Sequence, residues 1–88
     1  MTQEQTQVDE KYLGKMHDGS LGAHRVRENF NPGGDPVVNK IKRQTADLID
    51  LCEQLRNQSN EMNRLVSLAQ THYEDAAMWA VKAATTPK

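Results

Sequence analysis

The chain has 88 residues, 36% hydrophobic, 5% aromatic and 26% charged, with 11 Lys plus Arg against 12 Asp plus Glu and a formal net charge of -1. That length fits one small domain, and the near-neutral balance, with a pI near 6.3, excludes a protein held on duplex nucleic acid by phosphate neutralisation. A lone Cys52 excludes an internal disulfide and a Cys-rich zinc site.

His17, His24 and His72 match no metal signature, so no metal and no cofactor is expected. A domain this small buries only about 60% of its unfolded surface, and 1 Trp, 2 Tyr and 1 Phe leave little to fill a core. With disulfide and metal excluded, oligomerisation is the remaining route to stability. A polar N-terminus and the lack of a long apolar run predict no export signal and no membrane span; the free thiol fits a reducing cytoplasm.

In chain order, residues 1–8 are rich in Gln and Thr without periodicity and read as a flexible tail. Residues 9–16 suit a short helix, with Asp9 as N-cap and Tyr12, Leu13 and Met16 on one side. From Asp18 to Gly34 the chain carries Gly19, Gly22, Asn29, Asn31, Pro32, Gly33 and Gly34, which predicts turn and loop throughout. Asp35-Pro36 is a strong helix start, with a capping carboxylate followed by a proline that forfeits no hydrogen bond in the first turn. Val38, Ile41, Thr45, Leu48, Cys52 and Leu55 then advance by steps of three and four, predicting a helix over about 36–56. Residues 57–60 break the pattern, and Ser59 starts a second helix over about 60–84 whose stripe is Met62, Leu65, Ala69, His72, Ala76, Trp79 and Ala83.

The expected fold is therefore all-α, a single domain over 9–88 in which a short N-terminal helix precedes a long antiparallel αα-hairpin. The two stripes are the expected seam, which makes Cys52 and His72 core or interface residues. The second helix also carries a small-residue face of Ala69, Tyr73, Ala76, Ala77, Ala80 and Ala84. One partner helix cannot bury both faces, so the hairpin is expected to assemble with copies of itself.

No nucleophile and base stand in a recognisable pairing, and the Glu74-Asp75 pair reads as a solvated face, so no enzyme and no catalytic residue is expected. The most informative chemistry lies between Lys11 and Arg27, where Lys11, Lys15, Arg25 and Arg27 oppose the single acid Asp18, with Tyr12, His17 and His24 interleaved. Arg forks grip phosphate, a Tyr face stacks on a nucleobase, and Gly19 and Gly22 let backbone N–H groups approach an anion. A small anionic nucleotide is the ligand class this suits; a solvated basic loop is the alternative. A second polar stripe, Arg64, Ser67 and Thr71, follows helical spacing on the second helix.

The run Arg27 to Gly34 (RENFNPGG), the following Asp35-Pro36 with VVNKIKRQTADLIDL, and above all LAQTHYEDAAMWAVKAAT over Leu68 to Thr85 resemble the hairpin domain of phage proteins that sequester cyclic-nucleotide immune signals. These are the anti-CBASS cyclic-oligonucleotide sponges and the related sponges for the cyclic ADP-ribose signals of Thoeris defence. The chain length and the Tyr-bearing N-terminal segment look closer to the anti-CBASS branch. The resemblance implies a homohexamer, in the cytoplasm of an infected bacterial host, that binds cyclic dinucleotides such as cGAMP between paired protomers without hydrolysing them and so blocks effector activation. It implies Tyr12 as the base-stacking residue and Arg27 as the best match for the phosphate partner, with Arg25 the next match; Lys15 of the same basic segment counts among the expected ligand-binding residues. It further implies a site for cyclic trinucleotides where three protomers meet, using Arg64 and Thr71, with Ser67 added from the same polar stripe. The alternative is a structural hairpin that assembles with itself or with a host helix.

Overall fold

A computed structural model describes residues 19–88; the expected tail over 1–8 and the expected helix over 9–16 lie outside the described residues. Within them the chain forms α1 (Leu21–Val26), α2 (Pro36–Glu53) and α3 (Asn60–Thr85). Among the described residues there is no strand, and no helix is long and apolar enough to cross a membrane.

The stretch from Asp18 to Gly34 is not loop throughout, because α1 forms inside it. Ser20 caps that helix, its hydroxyl accepting from Ala23 N–H at 3.0 Å. Gly22 is what lets so short a helix persist: a Cβ there would lie 2.1 Å from the Ala46 carbonyl oxygen, so the two helix backbones touch where the side chain is absent. The Gly22 N–H is also committed, donating to Asp50 Oδ1 at 2.7 Å. A glycine expected to bring its amide to an anion thus serves as a helix-packing residue, buried against α2.

Helix α2 starts as its sequence dictates, with Asp35 Oδ1 accepting from Val37 N–H at 2.8 Å and Pro36 in the first turn. Helix α3 starts on Ser59, whose hydroxyl accepts from Met62 N–H at 3.1 Å, with Glu61 favourably placed against the N-terminal dipole. Between them Asn57 takes a left-handed conformation at φ 70°, which Asn tolerates better than most residues, and its N–H donates to Asn63 Oδ1 at 2.7 Å.

Val38 of the predicted first stripe is buried, but beyond it the hairpin buries a different face from the one its apolar stripes predict. On α2 the buried line is Val38, Lys42, Ala46 and Ile49; on α3 it is Val66, Gln70 and Ala77, with Tyr73 packed beside them. Leu48, Leu55, Leu65 and Trp79 of the predicted seam are exposed, Trp79 at 63%, and His72 is exposed as well. Cys52 is half-buried. The small-residue face of α3 wins the seam because Ala77 opposite Ala46 allows close helix approach, while the leucine-rich stripe turns outward.

The buried polar residue of the seam is fully used. Gln70, 1% exposed, donates through Nε2 to the Ile49 carbonyl at 3.0 Å and to Glu53 Oε1 at 2.8 Å, while its Oε1 accepts from Arg56 at 2.8 Å. Glu53 is consequently held below its ordinary carboxylate range, first by the Gln70 bond and then by Arg56. A depressed folded-state pKa contributes stability above the unfolded value of 4.5 that is lost as pH falls through the folded value. Glu53 is 44% exposed, so solvent screens most of the effect. Glu53→Gln is therefore expected to lower the melting temperature by only about 1–3 °C at neutral pH. That difference should shrink as pH falls below the unfolded value of 4.5; parallel thermal melts of both proteins at neutral and acidic pH check it.

Candidate functional site

The C-terminus of α1 builds the most distinctive surface of the molecule. Arg27 ends the helix in the left-handed conformation, φ 54° and ψ 55°. Its N–H reaches the His24 carbonyl at 3.3 Å and the next N–H, of Glu28, reaches the Ala23 carbonyl at 2.9 Å. This is a Schellman motif with Arg where Gly is usual, an arrangement that costs free energy and recurs at binding sites. The reversal swings Arg27 and the following residues outward to line an open cleft of about 760 Å³ with His24, Arg25, Phe30 and, from α3, Glu74. Phe30 is 64% exposed there.

Ion pairs engage part of the charge around the cleft. Arg25 donates through Nε to Glu74 Oε1 at 2.8 Å, and its terminal nitrogen lies 2.7 Å from the same oxygen. Arg43 lies 3.5 Å from Glu28. No described residue pairs with the Arg27 guanidinium, which also borders a second cleft of about 380 Å³ formed with Lys42, Glu74, Met78 and Val81. Among the described residues the Arg27 guanidinium therefore stands at the rim without an ion-pair partner. Beneath it Lys42, 6% exposed, donates to the carbonyls of Arg27, at 3.0 Å, and Phe30. Burial, and then the neighbouring Arg27 charge, push the Lys42 ammonium below its usual range.

Arg64, Ser67 and Thr71 fall on one exposed side of α3. The Arg64 guanidinium is held by Glu61 at 2.7 Å, and that bond raises its pKa further. The Ser67 hydroxyl accepts from Arg56 at 3.1 Å, which adds a second arginine to the stripe. This polar strip borders Leu65 and Leu68, both exposed, so one surface offers hydrogen-bonding groups and apolar contact together.

Of the residues singled out by sequence, Arg25 and Arg27 share the cleft, Arg64, Ser67 and Thr71 share a separate surface, and Tyr12 and Lys15 lie outside the described residues. Sequence reasoning missed Phe30, Glu74, Lys42 and Arg56. The first stood in plain view within RENFNPGG as an aromatic in a turn-forming stretch; the others join their sites only through tertiary contacts. Among the described residues no cluster of three or more His, Cys, Asp or Glu could hold a metal ion.

Among models of known protein families, that of the Acb2/Tad1 hairpin domain matches residues 22–85, which begins within α1 and ends with α3. No curated protein and no solved structure matches the chain.

Proposed function

Since the chain belongs to the Acb2/Tad1 hairpin family of anti-CBASS and anti-Thoeris sponge proteins, we propose that it sequesters cyclic dinucleotides of the cGAMP type, without cleaving them, at a site completed by a second copy. The observation that carries this reading is the open cleft on which the Arg27 guanidinium, unpaired among the described residues, and the exposed Phe30 ring converge. One chain brings one Arg27 guanidinium, which no described residue pairs, to the cleft, whereas a cyclic dinucleotide presents two phosphates and two bases related by an approximate twofold. Two clefts facing each other across a twofold match that charge and offer aromatic faces on both sides. Tyr12 contributes a stacking face and Lys15 further positive charge, with Arg25 the second guanidinium at the rim.

The outward leucine stripe and Trp79 supply apolar surface for assembly, up to the hexamer the family resemblance implies. In such an assembly the Arg64, Ser67 and Thr71 surfaces of neighbouring copies form a separate pocket for cyclic trinucleotides. The protein acts in the cytoplasm of an infected bacterium, where it blocks CBASS effectors by lowering free messenger. The same stripe suits the alternative of a purely structural hairpin, and the two readings differ in ligand binding alone.

A sponge must outcompete its effector, so calorimetry with 3′,3′-cGAMP is expected to give a Kd in the nanomolar range, near -12 kcal/mol. The ligand recovered after heat denaturation should elute unchanged on chromatography. Linear or mononucleotide product would make the protein a phosphodiesterase, and the absence of any heat with cyclic di- or trinucleotides would leave the structural hairpin.

A further inference from the structure

The buried cation of the seam has no part in the reading above, yet it bonds the backbone of the two residues that reading relies on. We infer that Lys42 is a positioning residue for the ligand cleft: its ammonium, bonded to the carbonyls of Arg27 and Phe30, holds the cationic and aromatic members of the rim in binding geometry. The inference rests on Arg27 being the ligand's phosphate partner.

Position 42 lies between Val38 and Ala46 on the buried line of α2, where an apolar residue would pack without any desolvation cost. No described carboxylate pairs with the ammonium. Its donors are spent on loop carbonyls, and the Phe30 ring lies 5.4 Å away, within cation–π range. Both carbonyls belong to the segment that leaves α1 through the left-handed Arg27, a conformation a non-glycine residue keeps only when its surroundings hold it. Anchored there, the backbone of Arg27 and Phe30 is ordered before ligand arrives, and binding spends less free energy on arranging it.

The test is a double-mutant cycle read as affinity for 3′,3′-cGAMP, with titrations carried to millimolar ligand so that weak variants stay on scale. Lys42→Met keeps the buried stem and removes the donors. It is expected to weaken binding about tenfold in the native background and clearly less in an Arg27→Ala background, where only the share that acts through Phe30 remains. In the ligand-free protein the amides of Glu28 and Phe30, bonded to the Ala23 and Arg27 carbonyls, should exchange about tenfold faster in Lys42→Met, with the centre of α3 unchanged.

Unchanged affinity in Lys42→Met, or losses that multiply in the double variant, would overturn the positioning role and leave Lys42 a structural residue. If Arg27→Ala itself binds as tightly as the native protein, it is the site reading that fails, and the inference falls with it. Should Lys42→Met not fold, the same cycle is run with Lys42→Arg, which keeps charge and stem but presents a planar fork that cannot repeat the ammonium's bonds; the same outcomes then decide.

Discussion

Gly22→Ala is expected to lower the melting temperature by about 10 °C or more, although helix propensity alone argues for a gain of about 0.5–1 kcal/mol. The new methyl carbon would lie 2.1 Å from the Ala46 carbonyl oxygen and 2.7–2.8 Å from the carbonyl carbon and Cα of the same residue. All three are backbone atoms of a central turn of α2, so they cannot yield as a flexible side chain would. Helix α1 must withdraw instead. Overpacking of this kind costs about 1–3 kcal/mol, and withdrawal also strains the bond from Gly22 N–H to Asp50, worth about 1.5–3 kcal/mol because the acceptor is charged. Packing therefore outweighs propensity by a few kcal/mol, a large share of the 5–15 kcal/mol total typical of a domain.

Gly19→Ala is the control, since a Cβ there meets nothing within 4 Å. Circular-dichroism melts of the two variants beside the native protein decide the matter: a Gly22→Ala melting temperature equal to or above the native one would mean that α1 does not pack on α2 as described. Because Arg27 is the cap of α1, the same substitution should also weaken ligand binding.

The hairpin was legible in sequence because its boundaries are written in local chemistry. An Asp-Pro pair and a Ser before Asn-Glu satisfy helix-terminal N–H groups whatever surrounds them, and both serve as caps. Which face of each helix points inward was not legible. Hydrophobic periodicity favours the leucine-bearing stripes, whereas the actual seam runs through Lys42, Ala46, Gln70 and Ala77. A buried Lys or Gln is invisible to such a pattern, since its place depends on carbonyls and side chains brought near from other elements: Arg27 and Phe30 for Lys42, Ile49 and Arg56 for Gln70. The prediction of two apolar faces on one hairpin survives with their roles exchanged, and the face left outside is the leucine-rich one.

Helix α1 was missed for a related reason. Gly19 and Gly22 are loop formers by composition, but Gly22 is there for a backbone contact with a residue 24 positions away. In the same way the basic segment announced Arg25 and Arg27 alike, and only Glu74, from the far helix, separates them by engaging one and leaving the other open.

That separation sets the largest expected effect on binding. Arg27→Ala should cost about 100-fold or more in affinity for 3′,3′-cGAMP, because a guanidinium–phosphate fork supplies two charge-assisted hydrogen bonds of about 1.5–3 kcal/mol each. Its melting temperature and assembly mass should stay near native, since Ala tolerates the left-handed cap about as well as Arg and no described ion pair is lost. Arg25→Ala should show the reverse balance. It strips Glu74 of its partner in a pair 24% and 35% exposed, so a loss of several degrees in melting temperature accompanies a smaller loss of affinity. Salt provides an independent check: ions screen a guanidinium–phosphate contact, so the dependence of log Kd on log salt should flatten in Arg27→Ala more than in Arg25→Ala. Calorimetric titrations at two salt concentrations measure both quantities. Equal affinity losses in the two variants would mean that Glu74 releases Arg25 to the ligand, and native affinity in Arg27→Ala would move the phosphate contact away from the end of α1 altogether.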